Sequence, residues 1–345
     1  MDELTRLRSV RNDVEPASPE TLARGRDILL THIAAAGERP GATSPRSTTT
    51  RRIGWFGTGS LVAAGVAAAL VAGNVLGVAG LHGGADPAAA AVLNAAALET
   101  VKTSDPAVGT GQYLEVATHA AYAYVSNADD GSRRVYLSSQ NGQMYVPSDT
   151  DDEWVWVRDA QRPIKMFGPE SARAAAEANP APAEYLRAAG GAFYDSPAVV
   201  SPTMLSDLPR DPQALLDRIR AVTKGQGNSP DSEALVWIAD TLRSGIVPAD
   251  LRAAMFRAAA LIPDIEITDR AANLDGRTGI AIGHTFREGD VQEIVIDPDT
   301  GRLIGEREVV TGKGAEEWNV PDGTAIGWTA VTTTVVDAAP AGLGK

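Results

Sequence analysis

Residues 53–81 read IGWFGTGSLVAAGVAAALVAGNVLGVAGL. Ile53 to Leu81 is the one long stretch of the chain without a charged side chain. Arg46, Arg51 and Arg52 stand just before it, and the first charges beyond it are Asp86 and then, for the basic residues, Lys102. A run of this length and polarity is read as a membrane-spanning helix. At 1.5 Å per residue it would reach ~43 Å, against a hydrocarbon thickness of ~30 Å, so its better core is Leu61–Leu81. The nine Leu and Val side chains of that core favour insertion by about 3–5 kcal/mol, less a cost for Asn74. Trp55 and Phe56 suit the headgroup level, and the arginines on one flank place the N-terminus in the cytoplasm. A buried soluble helix would not need the arginine flank. A cleaved signal peptide would need a positive region of some fifty residues, far beyond the usual few.

Working outward, the charge divides the same way. The chain carries −13 overall; residues 1–52 hold nine Lys/Arg and seven Asp/Glu, and the remainder carries −15. A basic stub inside and an acidic body outside fit a cell-membrane protein with a soluble extracytoplasmic domain. The acidic body argues against nucleic acid as a partner. There is no cysteine, which excludes disulfides, thiolate metal sites and a cysteine nucleophile. The frequent alanine and glycine, with arginine preferred to lysine, look like the bias of a GC-rich genome. Gly65, Ala69, Gly73 and Gly77 share one i, i+4 ridge. Such ridges let helices approach closely in lipid, which makes a homodimer through Gly73 and Gly77 an expectation, although rows like this also arise by chance where half the residues are small.

Inside, Leu4, Leu7 and Val10 suggest a first short helix. Ser18-Pro19-Glu20 starts a second, running to about Ala35. Leu22, Leu29 and Ile33 form one stripe with Leu30 beside it, and together they are the candidate face for a cytoplasmic partner. Two helices this short cannot form a core of their own. Residues 1–36 are therefore expected as amphipathic helices, and residues 37–52 as a flexible basic tether.

Outside, residues 86–336 read as one α+β domain. Pro87 opens a helix to about Lys102. Strands follow over Gln112–Thr118, Ala121–Ser126, Arg133–Ser138, Gln143–Val146 and Glu153–Arg158, with turns at Asp129-Asp130-Gly131 and Asn141-Gly142. Three helices come next, each opened by a proline: Pro212, Pro230 and Pro248. Strands return over Ile265–Thr268, Thr278–Phe286, Val291–Asp297, Arg302–Val310 and Ile326–Val336. Strands, helices, then strands joined by hairpins predict one continuous curved antiparallel sheet with helices on one side, shared by the N- and C-terminal strands. Residues 337–345 read as a disordered tail.

The chemistry-bearing residues are sparse. His32, His82, His119 and His284 have no metal-ligand spacing. Gly57-Thr58-Gly59-Ser60 lies inside the membrane run, so it cannot cradle phosphate. Asp149, Asp151, Asp152 and Glu153 read as a solvated loop, and Asp297 to Gly301 as a hairpin tip. Without a nucleophile, a paired base or a metal set, the chain reads as a non-enzyme with no cofactor. Trp154, Trp156, Trp237 and Phe256 are the candidate aromatics for an apolar ligand face.

The chain resembles a family of actinobacterial single-pass membrane proteins associated with extracytoplasmic-function sigma factors. Inside, the resemblance rests on Leu7-Arg8, Arg11-Asn12-Asp13-Val14 and Leu22-Ala23-Arg24-Gly25-Arg26 with Leu29-Leu30. Outside, it rests on Gly111-Gln112-Tyr113-Leu114, Leu208-Pro209-Arg210-Asp211-Pro212 and Leu251-Arg252-Ala253-Ala254 running into Leu261-Ile262-Pro263. Asp275-Gly276-Arg277 and Asp297-Pro298-Asp299-Thr300-Gly301-Arg302-Leu303 complete it. It implies a regulatory role, with the inner helices meeting a sigma factor and the outer domain sensing the envelope. The outer domain also looks like the lipoprotein-carrier half-barrel, which implies an acyl or other hydrophobic ligand. The chain departs from zinc-containing anti-sigma domains in lacking their His and Cys ligands. Two functions are thus expected: a membrane-anchored regulator that docks a sigma factor through residues 1–36, or a tethered envelope binder of lipid or another hydrophobic ligand.

Overall fold

The computed structural model describes residues 84–343 except 103, 104, 129, 130, 197, 199 and 288, with the backbone alone of Asp195, Phe286 and Arg287. The expected crossing at 53–81, its Arg46, Arg51 and Arg52 flank, the Gly73–Gly77 pair and the stripe of Leu22, Leu29, Leu30 and Ile33 lie outside the described residues. Among the described residues no helix is long and apolar enough to cross a membrane.

The domain is α+β. Eleven strands form one antiparallel sheet: β1 (Tyr113–Asn127), β2 (Arg133–Ser139), β3 (Gly142–Pro147), β4 (Glu153–Arg158), β5 (Arg162–Met166), β6 (Glu184–Ala189), β7 (Ile265–Leu274), β8 (Arg277–Arg287), β9 (Asp290–Ile296), β10 (Leu303–Val310) and β11 (Thr324–Val336). Their order is β6-β4-β3-β1-β11-β10-β9-β8-β7, with β2 beside the second half of β1 and β5 beside β2. The N- and C-terminal strands do share the sheet, joined where β1 runs antiparallel to β11 from Tyr113↔Val336 to Tyr122↔Gly327. The two strands expected at 112–118 and 121–126 are one strand. Nothing between Thr118 and Ala121 turns the chain; it changes partner instead, pairing β3 first and β2 afterwards.

The helices are α1 (Pro87–Lys102), α2 (Pro169–Glu177), α3 (Pro202–Ser206), α4 (Pro212–Val222), α5 (Pro230–Arg243), α6 (Ala249–Ala259) and α7 (Gly312–Trp318). Their starts follow from sequence. Ser201, Asp211 and Ser229 each precede a proline and accept a hydrogen bond from the backbone N–H three residues on, which satisfies a donor the helix cannot. Pro248 has no side chain that caps. Asp105 takes that role for α6 from a distant loop, accepting from Ala249 N at 2.8 Å and pairing with Arg252 at 2.7 Å.

Period-two alternation decides which face each strand side chain meets. Ile282, Ile294, Glu306, Thr329 and Ala120 stand side by side across five strands. On that face the main core forms, where Ile265, Ile282, Ile294 and Ile296 meet α1, α4, α5 and α6. α6 lies at the centre of the helix layer. Its Leu251, Met255 and Phe256 are wholly buried, each worth about 1.5–3 kcal/mol of transfer free energy. The opposite face is covered by the sheet itself. Register shifts after Ile267 and Asp269 bend the β7–β8 hairpin. Its Ala272 and Leu274 then pack with Ala281, Val295, Ile304 and Ala330. Arg277 Nη2 donates to the carbonyls of Ile304 and Val331, both at 2.8 Å. α2 covers the start of β2, which β5 does not reach, and there Val135 N donates to Ser171 Oγ at 3.1 Å. Residues after Val336, expected to be disordered, run beside the sheet as far as they are described: Asp337 accepts from Gln112 Nε2 at 2.8 Å and the Pro340 carbonyl from the Tyr185 hydroxyl at 2.9 Å.

Candidate functional site

Helix cover thins past β11: α5 packs mainly on β8 to β11. Beyond that line the same sheet face lies open as a cleft of about 490 Å³. One wall is strand: Val116, Thr118, Ala120 and Tyr122 of β1, Met144 of β3, and Trp156 and Arg158 of β4. Their placement follows from register, since Val116 pairs with Met144, and Met144 with Trp156, bringing three side chains of one parity side by side. The other wall is the last turn of α5, with Asp240, Arg243 and Ser244, and then Ile246. Gly245 makes this wall possible. Its φ of +73° suits a residue without Cβ, and an added Cβ would stand 2.7 Å from Val116 Cγ1. A second cleft of about 260 Å³ lies on the far side of Ile246, which lines both; Leu114, Val146, Leu205 and Pro248 line it too.

Two polar assemblies frame the main cleft. At its outer rim the Arg158 guanidinium sits 4.9 Å over the Trp156 ring, pairs with Glu184 at 2.6 Å and donates to Tyr194 Oη at 2.8 Å. The Tyr194 hydroxyl in turn donates to Glu184 at 2.9 Å. Phe193 and Tyr194 border the same indole at 5.3 and 6.4 Å. Tyr194 holds a left-handed φ of 56°, an uncommon conformation that costs a non-glycine residue energy.

At the inner edge, where the cleft meets the covered half, Arg243 Nε lies 2.6 Å from Glu306 Oε1, an ion pair outside hydrogen-bond alignment. Arg243 also pairs with Asp240. Glu306 is 8% exposed. Burial lifts its carboxyl to about 7, against the pull of Arg243, and the Asp240 charge adds to the rise. Burial disfavours the charge on Arg243, but Glu306 and Asp240 outweigh it and hold the guanidinium above its ordinary value. The Tyr122 hydroxyl and Thr329 Oγ1 share a hydrogen bond at 2.5 Å beside this pair.

Of the four aromatics singled out from sequence, Trp156 alone lines the cleft. Trp154 shares its strand parity but is sealed: Gly191 packs over its ring, and its Nε1 donates to the Thr150 carbonyl at 2.9 Å. Phe256 lies inside the helix layer, and Trp237 packs half-buried against the main core. Sequence reading missed Tyr122, Arg158, Arg243 and Glu306. Glu306 and Arg243 are far apart in the chain and nothing local marks them; an acidic residue at the inward parity of a Val/Ile-rich strand was the one available signal. Neither described histidine lines the cleft. His119 pairs with Asp275 at 2.9 Å on the opposite face, and His284 is buried. Among the described residues no group of three or more His, Cys, Asp or Glu is placed to hold a metal ion.

No family model matches the chain. No curated protein is similar to it in sequence. Among solved structures it is matched to a DUF1329 family protein from Desulfovibrio piger, with 10% identity over 73% of this chain and 93% of that one, at a TM-score of 0.16. A likeness that slight says nothing of this chain's fold or function.

Proposed function

We propose that this chain is a membrane-anchored, non-enzymatic envelope protein. Its outer domain binds a largely apolar ligand in the cleft between β1, β3, β4 and the end of α5. Ile53–Leu81 serves as the single crossing, with the N-terminus in the cytoplasm. The cleft is the observation that carries the reading: Val116, Met144, Trp156, Val200 and Ile246 offer an apolar wall, Gln140, Asn141, Asp159 and Gln161 add polar lining, and Arg158, Asp240, Arg243 and Tyr122 are already paired. A few fixed polar groups around an apolar hollow are the usual make-up of a small-molecule site. The adjoining cleft past Ile246 favours an elongated ligand over a compact one. The resemblance to sigma-factor-associated membrane proteins adds the regulatory half of the proposal. In it, ligand state outside is passed to a cytoplasmic partner, a sigma factor, docked on Leu22, Leu29, Leu30 and Ile33.

Two experiments separate the halves. Native mass spectrometry of the full chain from detergent, with an acyl-chain fluorophore as competitor, is expected to find co-purifying lipid or uptake of the probe, lost in Trp156→Ala. A domain that is empty and takes up no probe removes the ligand reading. A pulldown with full-length protein that retains a sigma factor, and loses it in Leu29→Asp, is expected for the regulatory half. Ligand binding without such capture leaves a tethered envelope binder.

A further inference from the structure

We propose that the outward face of α1 is a membrane-docking surface that lays the outer domain against the bilayer holding its own anchor. The inference rests on the reading of Ile53–Leu81 as a crossing. It starts from the composition of α1, PAAAAVLNAAALETVK. Ala89, Val92, Leu93, Ala96, Ala97 and Thr100 are buried, packed toward α6. At 100° per residue the opposite arc holds Ala88, Ala91, Asn94, Ala95, Leu98 and Val101; its polar member, Asn94, donates its amide to the Ala90 carbonyl at 2.8 Å. This arc faces outward, with Leu98 53% and Val101 52% exposed. From Pro87 to Leu98 the helix carries no charge. Leu98 and Val101 thus turn apolar surface to solvent, and nothing among the described residues covers their exposed halves.

Chain length points to the occupant. The backbone is fixed to the domain at Ala85 and Asp86: Ala85 N donates to the Ala260 carbonyl at 3.2 Å and Asp86 N to that of Ile265 at 2.8 Å. Between Leu81 and Ala85 lie three residues, which reach at most ~14 Å when extended. The first turn of α1 is thus held within a short distance of the headgroups. Leu261, 36% exposed, stands beside the same junction, next to Gly84. A face without charges loses no ion hydration when pressed to the interface, unlike the acidic remainder of the domain. At the far end of α1 the charges are confined to one pair, Lys102 with Glu99 at 2.6 Å.

The absence of native cysteine makes the test direct. Ala91→Cys and Leu98→Cys are introduced singly into the full chain, labelled with bimane, and placed in nanodiscs containing lipids with nitroxides at headgroup level. The control is Asp151→Cys, in the turn between β3 and β4, toward the other edge of the sheet from β7, on which α1 packs. Quenching at both α1 positions several-fold above the control is expected. Equal quenching at all three sites, in protein that stays membrane-bound through alkaline carbonate, overturns the docking while leaving the crossing intact. A disulfide between two copies through Leu98→Cys, with no quenching, makes a second copy the occupant and also overturns it. Release of the chain by carbonate overturns the crossing, and the docking with it.

Discussion

The two halves of the sheet present the same backbone to the same side, yet one is sealed and the other is open. Under the helices, β7, β8 and β9 offer Ile265, Ile282, Ile294 and Ile296, all wholly buried. Past β11, the strands offer Thr118, Tyr122, Met144, Trp156 and Arg158, and among the described residues no α-helix packs across them as α5 and α6 do over the other half. Helix cover over such a surface would strand hydroxyl and guanidinium groups away from water, at a cost of several kcal/mol each unless every one found a partner. The side chains of the strands therefore decide where the helix layer ends. The pair Arg243–Glu306 marks the seam.

The sharpest way to break this comparison is to cut one side chain on each side of the seam. Phe256→Ala in the sealed half removes a wholly buried ring. It is expected to lower stability by about 3–5 kcal/mol in urea unfolding followed by circular dichroism. Met144→Ala, on the cleft wall and only partly buried, is expected to cost roughly half of that or less, since the removed atoms border open space. Equal losses at the two sites would mean that the cleft is as tightly packed as the core.

The seam itself comes next. Arg243→Met leaves Glu306 buried without its cation, and a loss of about 3 kcal/mol is expected at pH 8. The loss should shrink at pH 5, where the carboxyl takes up a proton and no longer needs the arginine. Glu306→Gln tests the same group in the intact background. Its folded pKa is about 7 against an ordinary 4.5, so between those values the folded state holds a proton the unfolded state has lost. Stability therefore falls as pH rises through that window, by an amount on the order of a few kcal/mol, and the loss is complete above about 7. Thermal melts across pH 4.5 to 8 in the wild type should show this decline, and Glu306→Gln should flatten it. An unchanged slope in the variant would place the titrating group elsewhere.

How much of this was legible before the fold was known follows from range. The helices after Asp211 and Ser229 are announced by residues one to three positions apart, and their starts stand within a residue of expectation. Glu153–Arg158 is a short Trp/Val run closed by a charged residue at each end, which fixes its bounds. β5, with Arg162, Pro163 and Lys165 among its five residues and most of them exposed, and β6, Glu184–Ala189, mostly half-buried, went unread because neither carries an apolar alternation. α7, Gly312–Trp318, opens with Gly-Lys-Gly and has a weak local signal; its place comes from packing of Ala315 on Val310 and Ile326. The site was less legible still. Trp154 and Trp156 have identical local patterns, and only the chain at Gly191, folded over one of them, separates buried ring from cleft wall. The Arg243–Glu306 seam joins residues that only tertiary structure brings together.

The smallest effect is expected on the opposite face, where the bent β7–β8 hairpin closes over the sheet. Two kinds of contact hold its tip. Leu274 and Arg277 are inserted among β10 and β11, with the guanidinium bound to two strand carbonyls. His119 and Asp275 pair in the open, their side chains 54% and 39% exposed. Water competes for an exposed pair and salt screens it, so its net worth is ~0–1 kcal/mol. His119→Gln is therefore expected to shift the urea midpoint barely at all. Hydrogen exchange of the β7–β8 tip should likewise be unchanged, whereas Leu274→Ala should accelerate it. If His119→Gln opened the tip as much as Leu274→Ala does, closure of this face would depend on the ion pair rather than on the buried leucine. The rule drawn from the other face, that the apolar side chains of the strands decide what covers them, would then fail here.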